Sequence, residues 1–118
     1  MGVWGAKNFD NDTAFCFANS EVAKPMIARL GRVLDDPSQA DPGNNESFKI
    51  IAAAEILAVL LEQLPLAAPD KEMVEGCGDA YLGAWDEGIE KLATKPGYKE
   101  ERRAAIADAF ERLLRVSK

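Results

Sequence analysis

The sequence predicts an all-helical fold, a compact bundle of four to five helices around a central helix, preceded by an extended N-terminal arm. The central segment, residues 47–64, reads SFKIIAAAEILAVLLEQL and contains neither Gly nor Pro over about five helical turns. The last segment, residues 99–116, has one apolar and one charged face. No stretch alternates with the period of two expected of a strand. We therefore expect one helical domain over residues 1–118, long enough to bury a core.

The central segment carries few charges. Between Phe48 and Leu61 only Lys49 and Glu55 are charged. At roughly 100° per residue these two point about 120° apart, so they cannot share a narrow polar stripe. Because a helix that is apolar nearly all round is usually buried, we expect other elements to cover this one.

Residues 1–11, MGVWGAKNFDN, indicate an extended arm punctuated by glycines. The arm contains Trp4 and Phe9, two large apolar side chains that precede any helix and need a cover. Asn11 and Asp12 can cap a helix, since their side chains accept hydrogen bonds from free N–H groups of the first turn. We expect a short first helix over residues 12–18 that ends near Asn19.

A second helix is expected from Pro25, because proline is tolerated in the first turn and not in a helix interior. Its apolar positions follow one-face spacing; they are Met26, Ile27, Leu30, Val33 and Leu34. Residues 35–45, DDPSQADPGNN, then predict a loop. This loop lacks the D-x-[DN]-x-[DN]-G pattern of a calcium site.

The central helix should end at Pro65, and Asp70 can cap the next one. Four glycines weaken that helix, each by about 1 kcal/mol relative to Ala, so a break at Gly76–Gly78 is one reading and a continuous helix the other. The apolar stripe at helical spacing in this segment consists of Tyr81, Trp85 and Ile89. Such a stripe is more often core than an exposed oligomer contact.

The apolar arm and the charge of Glu55 can share one explanation. In this hypothesis the arm folds over the alanines at 52–54, and a buried Glu55 accepts hydrogen bonds from the indole of Trp4 and from backbone N–H groups. A buried carboxylate is tolerable only when several donors satisfy it. The alternative is that Glu55 reaches solvent at the edge of the helix.

The opening matches the pattern MGxWGxxxFxNDxA, through Met1, Gly2, Trp4, Gly5, Phe9, Asn11, Asp12 and Ala14. It resembles the start of a bacterial family of short proteins that carries only a domain-of-unknown-function label. Members similarly show a mid-chain Ala-Ala-x-Glu helix, matched here by Ala52, Ala53 and Glu55. Residues 79–85 match a later family segment loosely, and the expected Ser-Glu pair and second Trp of the last helix are absent. The resemblance implies an all-helical fold and no established activity.

Composition excludes several classes of function. The net charge of −6 speaks against a nucleic-acid binder, and no apolar run approaches the ~20 residues of a membrane span. The chain contains no histidine, which removes the commonest general base and metal ligand. Its cysteines, Cys16 and Cys77, form no C-x-x-C pattern and suit reduced core positions. No signal peptide opens the chain, so we expect a cytoplasmic protein that is not an enzyme and needs no cofactor or metal.

Two functions remain open. The first is a protein-binding module, in the manner of small bacterial immunity proteins, for one basic partner whose charge complements this acidic chain. The alternative is a small-molecule or cation site where Asp10, Asp12 and Glu55 converge, since neighbouring carboxylates raise one another's pKa. The predicted binding residues are Trp4, Phe9, Asp10, Asn11, Asp12 and Glu55. The sequence leaves the oligomeric state open.

Overall fold

The computed structural model of the chain describes Asn8 and residues 11–118. In this part of the chain the elements are helical, and there is no β-strand, which confirms the predicted fold class. No helix among these residues is both long and apolar enough to cross a membrane. The α-helices are α1 (Asp12–Phe17), α2 (Lys24–Asp35), α3 (Asn45–Gln63), α4 (Lys71–Ile89) and α5 (Tyr98–Arg115), with a π-helical segment at Ala18–Ala23 and a 3₁₀ turn at Pro37–Ala40.

The four long helices form a bundle in the cyclic order α2, α3, α5, α4. Each helix packs on two neighbours and turns its apolar residues toward the common centre. The largest side chains with almost no exposed surface come from all four helices, so no single pair of helices accounts for the core. They are Leu30, Val33, Ile50, Leu57, Val74, Cys77, Tyr81, Ile106 and Leu113.

The sequence predicted that the first helix ends near Asn19, and this prediction is wrong. The helix continues through the π-helical segment into α2, and the N–H of Lys24 donates to the carbonyl of Asn19, five residues earlier. Pro25 explains this geometry, because a proline ring would clash with the carbonyl four residues before it in a regular α-helix. A wider π turn just before the proline keeps the chain helical.

The expectation that α3 is covered on all sides is also wrong. The residues that face the bundle are buried, among them Ile50, Leu57 and Ala58. The opposite side, however, exposes Phe48, Ile56 and other apolar residues to solvent. The segment begins and ends close to the predicted bounds, so the prediction was right about the helix and wrong about its surroundings.

Helix α4 runs without a break through Gly76 and Gly78, so the continuous reading of this segment is the correct one. These glycines allow close packing between helices. A β-carbon on Gly78 would lie 3.4 Å from the ring of Phe110 in α5, and one on Gly76 would lie 3.4 Å from a methyl group of Leu34 in α2. The cost of glycine in the helix is offset by this close approach.

The stripe on α4 belongs to the core, as expected, since Tyr81, Trp85 and Ile89 are all buried. Tyr81 also ties three helices together. Its hydroxyl donates to the backbone carbonyl of Ser47 in α3 at 2.8 Å, and its ring packs at a tilted angle on Phe110 of α5, with centroids 5.6 Å apart. The phenol is therefore satisfied although it is removed from water.

The cysteines differ from each other, and the expectation that both are core residues holds for one of them. Cys77 is buried, whereas Cys16 on α1 is exposed. Burial raises the pKa of the Cys77 thiol to about 11 and the pKa of the Tyr81 phenol to about 12, since both charged forms are disfavoured away from water.

Because the pKa values of Cys77 and Tyr81 are raised in the folded chain, we expect the fold to lose stability at alkaline pH. An unfolded chain releases these protons from about pH 8.5 for the thiol and about pH 10 for the phenol, before the folded chain does. The folded state then binds more protons, so its stability is complete below pH ~8.5 and falls as the pH rises toward 12. We expect urea unfolding to show a loss on the order of 1–3 kcal/mol between neutral pH and pH ~10.5. Cys77→Ala should flatten the slope near pH ~9–10, and an unchanged slope would contradict this assignment.

Candidate functional site

One side of α3 presents apolar residues to solvent. Phe48, Ile56 and Val59 are 50%, 46% and 43% exposed, and Ala52 is exposed between them. Their spacing of four, four and three residues places them on one helical face. We call these four residues the α3 face. Because large apolar side chains gathered in one place commonly mark interaction surfaces, the α3 face is a candidate binding surface.

A groove runs beside this face, between α3 and α5. It has a volume of about 220 Å³. Its floor is shallow because small residues from both helices meet there, so a partner could approach the backbone of either helix. The residues that line the groove are Phe48, Ile51, Ala52, Glu55, Arg102, Ala105 and Ala109.

The apolar surface continues past Phe48 to the end of the bundle. There Leu92 and Tyr98 are 44% and 42% exposed, and both share a second cavity with Phe48. The guanidinium carbon of Arg102 lies 5.9 Å from the centroid of the Phe48 ring, which is within the range of a cation–π contact. Aromatic and arginine side chains are the residue types most enriched at binding hot spots.

Charged residues border the other end of the groove. Arg112 of α5 contacts Glu62 of α3 through Nη2 and Oε1 at 2.8 Å. This hydrogen-bonded carboxylate raises the pKa of Arg112, and the nearby charges of Glu55 and Asp108 add to the effect. The α3–α5 surface therefore has an apolar centre and a charged rim, which is the usual anatomy of a protein interface.

The predicted site residues lie in different places. Asn11 is the N-cap of α1 and its Oδ1 accepts from the N–H of Ala14 at 2.8 Å, so the expected capping is confirmed. Asp12 occupies the first turn and is exposed. Trp4, Phe9 and Asp10 lie outside the described residues. The proposed binding role of this set stays a prediction, as does the carboxylate site.

The prediction that Glu55 is buried is wrong. Its residue is exposed on α3 at the edge of the groove, which is the alternative that the sequence left open. Solvent therefore supplies the hydrogen bonds that a buried carboxylate would have needed from the protein.

Two further acidic positions have structural partners. Glu46 at the start of α3 forms ion pairs with Arg29 and Arg32 of α2, and Asp86 of α4 accepts two hydrogen bonds from Arg103 of α5 at 2.8 and 3.0 Å. Arg103 lowers the pKa of Asp86. Within the described ranges, no three His, Cys, Asp or Glu side chains gather closely enough to hold a metal ion. These charges join helices and offer no evident chemistry.

Sequence reasoning missed Ile56, Val59 and Arg102 as surface features. It placed the first two in a covered helix and the third on the polar side of α5. A signal was present in the two charges of the central helix. Lys49 and Glu55 are both exposed, and the roughly 120° arc between them contains the α3 face.

Comparison with known proteins places the chain in a family and adds no activity. A family model described as "Domain of unknown function (DUF4259)" matches residues 2–118. No curated protein and no solved structure matches the chain at a significant level.

Proposed function

For this chain, which belongs to the DUF4259 family of unknown function, we propose a role as a protein-binding module that docks one basic partner on the α3 face. The observation that carries the proposal is the exposure of Phe48, Ile56 and Val59 on one side of a helix whose other side is core. A partner that covers these side chains would gain about 25 cal/mol for each Å² of apolar surface removed from water.

The chemistry of the partner follows from charge. The chain carries a net charge of −6, so a second copy would be repelled while a basic protein would be attracted and steered into contact. The groove between α3 and α5 fits an apolar segment, and Glu55, the acidic residue of its lining, can meet lysine or arginine beside that segment. We therefore commit to a basic protein that inserts an apolar segment, rather than to self-association.

The proposed role is binding without catalysis. The chain contains no histidine. The carboxylates described above serve as caps, ion pairs or solvated rim charges, and the raised pKa of Cys77 disfavours the reactive thiolate at neutral pH. An immunity-protein-like action, in which the module occupies a basic toxin, is the finer form of this proposal.

The test is a capture experiment that compares matched variants. Tagged wild-type protein, Ile56→Asp and Leu34→Asp are each incubated with extract of the native cell at low and moderate salt. Leu34 is a suitable control because it is 46% exposed like Ile56 but lies against α4, on another side of the bundle. We expect one stoichiometric basic protein to be retained by the wild type and by Leu34→Asp and lost with Ile56→Asp.

The captured protein is then purified and titrated against each variant by calorimetry. Ile56→Asp should weaken binding by at least about 100-fold, since a charge would be buried without a partner, and moderate salt should weaken it further. Equal retention by the three proteins would refute the α3 face as the binding surface. A wild-type dimer in sedimentation that Ile56→Asp converts to a monomer would replace the basic partner with a second copy.

A further inference from the structure

A second cavity lies at the end of the bundle where α3 begins, α4 ends and α5 begins. Its volume is about 260 Å³, just below the ~300–1,000 Å³ of sites for drug-sized ligands. Most of its wall is aromatic or aliphatic, and a few polar groups stand among these residues. The lining residues are Pro42, Ser47, Phe48, Tyr81, Trp85, Ile89, Leu92, Ala93, Thr94, Tyr98 and Arg102.

The cavity contains one charge, and that charge is positive. Arg102 is half-buried over Phe48, and its positive charge also acts on the phenol of Tyr81 inside the cavity. None of the lining residues is acidic. Among the described arginines, Arg102 is the one that forms no ion pair with a carboxylate, although acidic residues outnumber basic ones by 20 to 14 in this chain.

An unpaired guanidinium at the wall of an apolar cavity is complementary to a particular kind of molecule. Its planar fork suits a carboxylate, to which it can donate two parallel hydrogen bonds. The aromatic walls suit a flat or branched apolar body, and the small volume limits that body to about one ring system. A hydrophilic anion such as phosphate would leave the walls of Trp85 and Phe48 uncovered.

We propose that this cavity binds a small organic carboxylate with an aromatic or branched apolar body. The guanidinium of Arg102 binds the carboxylate of the ligand, and the rings of Phe48 and Trp85 pack against its apolar body. The cavity shares Phe48 with the α3 face and Arg102 with the groove, while its buried residues Tyr81, Trp85 and Ile89 lie on α4. The proposal does not rest on protein docking, because the ligand would bind the chain alone. The same chemistry could be supplied by a free acid or by the C-terminal carboxylate of a peptide that ends in an apolar residue.

The test uses nuclear magnetic resonance on the full chain, with the indole N–H signal of Trp85 as the reporter. That signal is assigned with a Trp4→Phe variant. The probes are phenylacetate, indole-3-acetate and 4-methylpentanoate, with phenylacetamide as the uncharged counterpart. We expect a saturable shift with at least one of the acids and binding weaker by about tenfold or more for the amide. A tripeptide ending in Phe, with a free or an amidated C-terminus, distinguishes a peptide ligand from a free acid.

Variants locate the effect. Arg102→Gln should weaken binding of the acid about tenfold or more, and Arg102→Lys should be intermediate because it keeps the charge and loses the fork. Arg103→Gln is the matched control, because Arg103 is the next residue in α5 and is paired with Asp86 outside the cavity. Melting temperatures confirm that each variant is folded. The proposal is overturned if no acid gives a saturable shift up to about 10 mM, or if the amide or Arg102→Gln binds as well.

Discussion

Replacing Leu57 with Ala is expected to lower the free energy of unfolding by about 2–5 kcal/mol. Leu57 has no exposed surface and stands on the side of α3 that faces the bundle. Its truncation removes apolar contacts and leaves a cavity, which helices on both sides cannot close by a small shift. Urea unfolding followed by circular dichroism measures the loss.

The control is the next residue along the same helix. Ile56 is exposed, so Ile56→Ala should change the stability by less than about 0.5 kcal/mol. The pair separates the two faces of α3 with side chains of the same size at neighbouring positions of one helix. Equal losses for the two variants would mean that the exposed face is covered in solution, and would remove the basis for a binding surface there.

Replacing Gly88 with Ala is the second change for which we expect a large effect, a loss of about 1–3 kcal/mol. A β-carbon at this position would lie 2.5 Å from Oδ1 of Asp41 and 2.6 Å from Cδ of Pro42. Neither atom can move aside easily. The Asp41 carboxylate accepts a hydrogen bond from the N–H of Gly43, and the proline ring is fixed to the backbone. The loop after α2 would have to separate from α4.

Gly83 in the same helix provides the control. It is exposed, and a β-carbon there meets no atom within 4 Å. Gly83→Ala should therefore raise the stability by about 0.5–1 kcal/mol, because alanine costs less conformational entropy in a helix. Thermal unfolding of the two variants should shift in opposite directions. Stabilisation by both substitutions would show that the loop does not pack on Gly88.

The behaviour of the glycines shows where local sequence rules end. Helix propensity alone made a break at Gly76–Gly78 reasonable, because each glycine costs about 1 kcal/mol in a helix. The actual helix keeps them where Phe110 and Leu34 approach its backbone. Those neighbours lie more than 30 residues away in the chain, so the reason for the glycines is tertiary and cannot be found by reading α4 alone.

Helix α3 gives a similar lesson with a different cause. Its position and approximate length follow from the absence of Gly and Pro in residues 47–64. The helix begins two residues earlier than predicted, at Asn45, where the side chain of Asn44 accepts from the N–H of Glu46. Its surroundings do not follow, because an apolar face is the same in sequence whether the bundle covers it or a partner does. Only the arrangement of the other helices decides which side is left open.

The candidate binding surfaces were harder to predict from the sequence than the fold. Arg102 sits in a run of charges that a helical wheel assigns to solvent, yet the cavity beside it forms only where three helix ends meet. The sequence drew attention to Glu55 instead, as a charge in an apolar helix, and the predicted explanation, burial of its carboxylate, is wrong. Glu55 is a charge at the border of an exposed apolar surface, not a buried acceptor.

The most direct test of the central claim, that the α3 face binds a basic protein, is site-specific photo-crosslinking in the native cell. Benzoylphenylalanine is introduced in place of Val59 on this face or, as the comparison, in place of Leu34 on α2. We expect one crosslinked product from position 59, containing a basic protein, and none from position 34. Identical products at both positions, or a product of two copies of this chain, would contradict the claim.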